Sequence, residues 1–374
     1  MAFNYIAEQL CERKSQALFR ERFLISAAEN CRITVDGVSY LNFASNNYLG
    51  LTSHPLNTSQ AGSHSSPLVT GYLKAHADLE DYLASELGFE ACLLFNSGFS
   101  ANSSVLKTLM SHADSEIFQD KLNHASLIDG GLAAKAAMTR FNHNDLAHLS
   151  RRLMKSKAKH KLIVSEGVFS MDGDTAPIEE LSTLAKQHDA WLMIDDAHGF
   201  GVLGQQGKGS CYTDPISKPD LLIITFGKAV ASSGACVLCS REVRDYLIQF
   251  NRDYIYSTAI SPVIAEITLH QIQRLFQADD LRAQLNSNIR YFKQLCVDKK
   301  IALMDSSTAI QPVVIGDADT TIAVANALKE RGCWVGAIRP PTVAHNTARL
   351  RITLTASHSH ADIELLVNHM KHLL

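Results

Sequence analysis

Between about residue 90 and residue 240 the sequence alternates short, almost wholly apolar runs with longer stretches whose apolar residues recur at helical spacing. The runs ACLLF, Ile163–Val164, WLMI at 191–194, LLII at 221–224 and ACVL at 235–238 are short and bounded by Gly, Ser or Asp. Runs of that length, apolar on both alternating faces, read as strands buried on both sides of a sheet. Just before the first run Leu79, Leu83 and Leu87 repeat every four residues, and between two later runs Ile178, Leu181 and Leu184 share one face behind Pro177, as amphipathic helices require. This alternation predicts an α/β fold with a mostly parallel sheet covered by helices. Ligands of such sheets sit outside the carboxyl ends of the strands, so the residues just after each apolar run are the candidates for chemistry.

Two of those places hold a suggestive set. In LLIITFGKAVASSGACVLCS, 221–240, one lysine, Lys228, lies in a turn between two strands. Partial burial lowers an ammonium pKa and frees a neutral amine to attack a carbonyl, although a lone turn lysine is ordinarily just solvated. In WLMIDDAHGFGVLG, 191–204, Asp195 and Asp196 end a strand and must face opposite sides of it, with His198 close behind. A strand-end carboxylate that enters a cleft needs a cationic partner, and a protonated pyridine nitrogen is one. Ser97-Gly98 links a strand to a helix, a turn whose N–H groups suit a phosphate. His124 also follows a strand. Lysine, aspartate, histidine and anion-binding turn are the parts of a pyridoxal phosphate site.

DDAHGFGVLGQQGKGS followed by TFGKAVASSG resembles the pyridoxal-phosphate-dependent α-oxoamine synthases, with the type I fold of the aminotransferase superfamily. SEGVFSMDGDTAPI at Ser165–Ile178, FNSGFSAN at Phe95–Asn102 and AIRPPTV at Ala337–Val343 extend the likeness over most of the chain. The resemblance implies pyridoxal 5'-phosphate as cofactor and gives Lys228, His124, Asp195 and His198 catalytic positions. Lys228 would carry the cofactor and act as base, Asp195 would face the ring nitrogen, His198 the phenolic oxygen, and His124 would stack on the ring. Gly98, Phe99 and Thr225 would take the phosphate, and Ser170 would hydrogen-bond the cofactor. For substrate it implies Arg351 on the amino acid's carboxylate, Asn46 nearby, Arg20 toward the acyl donor, and Thr342. Within the family the likeness is to members that condense L-alanine with a pimeloyl thioester, pimeloyl-CoA or pimeloyl-acyl-carrier protein, in biotin biosynthesis. Sister enzymes that use glycine or serine remain open alternatives. The family's site lies at a dimer interface, which implies a homodimer.

The resemblance and the element pattern together divide the chain into an N-terminal helix and β-hairpin segment, 1–48, a large cofactor-binding domain, 49–260, and a smaller C-terminal α+β domain, 261–374. The hairpin turns at Asp36-Gly37 and 56–71 reads as a loop. The last segment reads as a helical region at 261–297, then strand AIQPVVIG, a helix, single strands CWVGAI and ARLRITLTA, and a final helix. Arg349 and Arg351 share one face of their strand, so the resemblance alone chooses Arg351. A net charge of −3 offers no general basic field for nucleic acid. No apolar run is long enough to span a bilayer and the N-terminus lacks a secretory pattern, which points to a cytoplasmic protein. The eight cysteines are dispersed, and Cys236 with Cys239 lies inside an apolar run, so no metal is expected. Gly199 to Gly204 satisfies G-x-G-x-x-G, but QQGKGSCYTDP behind it cannot extend a helix well, which argues against a nicotinamide site. A non-catalytic scaffold with this fold is disfavoured because the reacting groups are all present.

Overall fold

The computed structural model describes residues 5–19, 23–29, 31–51 and 61–374. Strands β1 (Ile25–Glu29), β2 (Arg32–Val35) and β3 (Val38–Asn42) follow one another antiparallel. Asp36 and Gly37 both take positive φ, 51° and 78°, as the tightest hairpin turn demands. These strands belong to a unit built from Met1–Gly50, Ser170–Asp174 and Asp280–Leu374, while Leu51–Phe169 and Thr175–Asp279 form a second unit.

The apolar runs become the second unit's seven-stranded sheet. Its strands are β4 (Ala91–Phe95), β5 (Ser115–Asp120), β6 (Ala137–Phe141), β7 (His160–Glu166), β8 (Ala190–Asp195), β9 (Leu221–Thr225) and β10 (Ala235–Cys239). Their order is β4-β10-β9-β8-β7-β5-β6, and β10 alone runs against its neighbours. The mostly parallel sheet of the sequence reading is therefore present. One face packs Leu93, Val164, Met193, Ile223 and Val237 against Val105 of helix Gly98–Leu109 and Leu247 of helix Arg241–Phe250. The alternate residues Ile163, Leu192, Ile194, Leu222 and Leu238 are also buried, so both faces are covered and each inner strand is apolar throughout. The edge strand β6 is half exposed and carries Thr139 and Arg140.

The first unit adds β11 (Ile310–Gly316), β12 (Cys333–Trp334), β13 (Gly336–Ile338) and β14 (Ala348–Thr353). CWVGAI is not one strand. Val335 separates β12, which extends the hairpin sheet beside β3, from β13, which pairs with β14 in a sheet ordered β11-β14-β13. The buried Val335 side chain lies where the chain leaves one sheet for the other. The 261–297 helical region is likewise two helices, Pro262–Phe276 and Asp279–Asp298. Within the loop read at 56–71, Pro67–Gly71 closes a single π-helical turn in which Gly71 N–H donates to Ser66 O at 2.9 Å. A Cβ on Gly71 would meet Ser65 O at 2.1 Å, so only glycine closes that turn. Residues 56–60 lie outside the described residues. Among the described residues no helix is long and apolar enough to cross a membrane.

Candidate active site

The carboxyl ends of β4, β5, β7, β8 and β9 gather the second unit's candidates. Ser97 ends the β4 connection and caps helix Gly98–Leu109, its Oγ accepting from Ser100 N at 3.1 Å. The N–H groups of Gly98 and Phe99 lie in the first turn, where a helix supplies no acceptor of its own. A Cβ on Gly98 would stand 2.5 Å from Cγ2 of Thr225, the last residue of β9, so this backbone and that side chain are in close contact. Thr225 Oγ1 is buried and has no hydrogen-bond partner among the described residues. Lys228 follows in a tight connection to β10, held by Ala231 N–H to Lys228 O and Ser232 N–H to Phe226 O. It is half buried.

Asp195 and Asp196 face different surroundings, as strand alternation requires. Asp195 is buried, accepts from Asn102 Nδ2 at 2.6 Å and from Ala197 N at 3.0 Å. Asp196 accepts from Ser210 N at 2.7 Å and Ser210 Oγ at 2.6 Å. Its carboxyl group is packed against Gly167, Gly199 and Gly209, and a Cβ on any of them would come within 2.1 Å of it. Burial pushes the Asp196 carboxyl up to about 7, against the opposing pull of the Ser210 donors. The G-x-G-x-x-G pattern thus contributes to a jacket around a carboxylate, and two short 3-10 turns, not a helix, follow it. His198 is buried in the turn after β8.

His124 follows β5 and caps helix Ala125–Ala133, its Nδ1 accepting from Ser126 N. Partial desolvation lowers its pKa, as does the charge of Lys228, while Asp195 and Asp129 pull the other way. Phe99 meets the His124 ring edge to face at 6.5 Å. Glu166 is the buried last residue of β7. It stands in register with Asp195 and accepts His124 N–H at 2.5 Å. Burial first, then Asp195, pushes its pKa well up.

In the first unit β14 carries the two arginines, both buried. Arg349 Nη1 pairs with Asp172 at 2.7 Å. Arg351 donates to Ser170 O at 2.6 Å, Asn46 Oδ1 at 3.1 Å and Thr353 Oγ1 at 3.0 Å, and among the described residues no carboxylate pairs with it. Burial raises the neighbouring Tyr48 hydroxyl to about 12 despite the Arg351 charge. Asn46, Ser170 and Arg351 are therefore together. Thr342 is exposed in a turn, its N–H donating to Arg339 O, and Arg20 lies outside the described residues. Sequence reasoning missed Asn102 and Ser126. The available signals were the last letter of FNSGFSAN, one helical turn past Gly98, and a serine two residues after His124.

The second unit's residues fit pyridoxal phosphate: an amine at Lys228, a buried carboxylate with open lone pairs at Asp195, and a helix N-terminus beside the Thr225 hydroxyl, which has no hydrogen-bond partner among the described residues. Among the described residues no three His, Cys, Asp or Glu side chains group as a metal would require.

The family model for aminotransferase class I and II matches residues 38–370. An 8-amino-7-oxononanoate synthase from Photobacterium profundum is 48% identical, over 100% of this chain and 97% of its own. Among solved structures, an 8-amino-7-oxononanoate synthase from Francisella tularensis is 31% identical with a TM-score of 0.74, over 88% of this chain and 96% of that one. A serine palmitoyltransferase variant from S. paucimobilis with a bound PLP–myriocin aldimine is 25% identical with a TM-score of 0.92, over 99% and 97%.

Proposed function

Because the chain belongs to the aminotransferase class I and II family, whose enzymes depend on pyridoxal phosphate, we propose that it acts as an 8-amino-7-oxononanoate synthase. It joins L-alanine to a pimeloyl thioester and releases carbon dioxide and thiol. The observation that carries this reading is the near-half identity with synthases of that name, sustained from end to end of the chain. The serine palmitoyltransferase has the higher TM-score but half the identity. Shape is common to the whole family, whereas side chains choose the substrate, so identity decides.

Pyridoxal phosphate, when bound, supplies an electrophilic carbon for the amino group and a ring that withdraws electrons from Cα. Lys228 would hold the cofactor through its amine and then, released by the substrate amine, take the proton from Cα of L-alanine. Asp195, whose oxygens accept from the Asn102 and Ala197 N–H groups, would hold a proton on the ring nitrogen. Gly98, Phe99 and Thr225 would hold the phosphate, Ser170 and His198 would hydrogen-bond the cofactor, and His124 would cover the ring face. Arg351 would bind the alanine carboxylate as a fork, beside Asn46; of the two β14 arginines Arg349 pairs with Asp172, and Arg351 has no acidic partner among the described residues. Arg20 would serve the acyl donor, and Thr342 is a further substrate-binding position.

The reading includes a homodimer in the cytoplasm, with no nucleic-acid or membrane partner. In support of self-association, Leu68, Val69 and Tyr72 are exposed on a segment that borders a small cavity of about 30 Å³ together with Ser100 and Ser257, and Phe99 and Tyr256 beside those residues are exposed too. The test is product formation from a pimeloyl thioester with L-alanine, glycine or L-serine, followed by mass spectrometry. L-Alanine should lead by at least about tenfold, the scale on which a pocket separates near-isosteres. Faster turnover of glycine or serine would move the chain to a sister activity.

A further inference from the structure

His124 makes a directional set of hydrogen bonds. Ser126 N–H donates to Nδ1 at 3.2 Å. A main-chain N–H can only donate, so Nδ1 carries a lone pair and the proton of the neutral ring is on Nε2. Ser126 Oγ lies 2.8 Å from the same Nδ1 and 3.0 Å from Asn102 Nδ2. The hydroxyl must then give its proton to Nδ1 and accept from Asn102. The other Nδ2 hydrogen of Asn102 goes to Asp195 Oδ2 at 2.6 Å. Turning the Asn102 amide over would set its oxygen against a carboxylate, so the orientation is fixed even though Asn102 Oδ1 is left buried without a partner among the described residues. Nε2 of His124 has no partner among the described residues.

We propose that Asn102 and Ser126 are positioning residues that lock His124 as the neutral Nε2–H tautomer and join it to Asp195. His124 then offers the reacting substrate a hydrogen-bond donor and not a base. This rests on the reading that His124 covers the cofactor. A second proton, on Nδ1, would face two donors at the positive end of helix Ala125–Ala133. Of the charges around the ring, Lys228 also opposes that proton and Asp195 and Asp129 favour it, while Glu166 takes the main-chain N–H of His124. The same logic keeps a catalytic imidazole neutral at a helix N-terminus in other folds.

The test is the ring 15N spectrum of histidine-labelled, cofactor-loaded protein across pH, with His124→Gln identifying the signals. The expected result is an Nε2–H ring that protonates below the ordinary histidine pKa. Ser126→Ala and Asn102→Ala should each move that protonation upward by about one unit. Ser126→Ala should also lower kcat about tenfold with the KM for L-alanine unchanged, and Ser126→Thr, which keeps the hydroxyl, should restore both. A proton on Nδ1, or a titration indifferent to Ser126→Ala and Asn102→Ala, overturns the proposal. The titration is read without turnover, so the expected titration in a protein that never condenses L-alanine would instead overturn the function.

Discussion

Asp195 and Asp196 are neighbours in sequence with opposite surroundings. Around Asp196 the protein supplies everything: two donors from Ser210, and three glycines that leave no room for another atom. Around Asp195 it supplies one N–H for each oxygen, and both it and the half-buried Lys228 act on His124. A carboxylate whose environment is closed serves the fold, and one with unused acceptor capacity beside reactive groups serves a ligand. The two arginines of β14 divide the same way, Arg349 closed by Asp172 and Arg351 without an acidic partner among the described residues.

Substitutions sharpen this contrast. The largest effect belongs to Lys228→Ala, which should lower turnover by at least about 10³-fold with an unchanged thermal midpoint. Asp195→Ala should lower kcat by about 10²-fold or more and weaken cofactor binding measured by dialysis. If it only destabilised the fold, the contrast with Asp196 would be lost. Arg351→Lys should raise the KM for L-alanine by about tenfold or more, since an ammonium cannot form the bidentate fork, whereas Arg349→Lys should leave that KM nearly unchanged. Gly209→Ala, at φ 110° and 2.1 Å from Asp196, should lose about 1–3 kcal/mol of stability in urea titrations. Its kcat per folded molecule should stay near wild type.

The smallest effect is a slope. The Asp196 carboxyl rises from an ordinary 3.8 to about 7 in the fold. Between those values the folded state holds a proton that the unfolded state has lost. Its contribution is therefore present below about pH 4 and disappears as pH climbs through about 7. Asp196→Asn should flatten that part of the stability–pH curve, read from urea midpoints. An unchanged slope would mean that the group titrates normally.

The sheet was legible because strands buried on both faces leave no alternative to uninterrupted apolar runs, and because ligands collect at their carboxyl ends. Strand alternation also showed that Asp195 and Asp196 point apart. What each meets was hidden: Asn102 and Ser210 come from other parts of the chain. Glu166 was indistinguishable from the loop carboxylates Asp172 and Asp174 because its burial depends on neighbouring strands. Nor could spacing separate Arg349 from Arg351, which share a face; the partner that divides them, Asp172, is 177 residues away. CWVGAI carries no breaker besides Gly336, and its split follows from two sheets competing for one run.

The most direct test of the account is the visible spectrum of the purified protein with pyridoxal phosphate, read before and after L-alanine, with borohydride reduction and peptide mapping. A cofactor band that L-alanine perturbs more than glycine or L-serine, and that reduction fixes on Lys228, is the predicted result. A band fixed on another lysine, or no band at all, would contradict it.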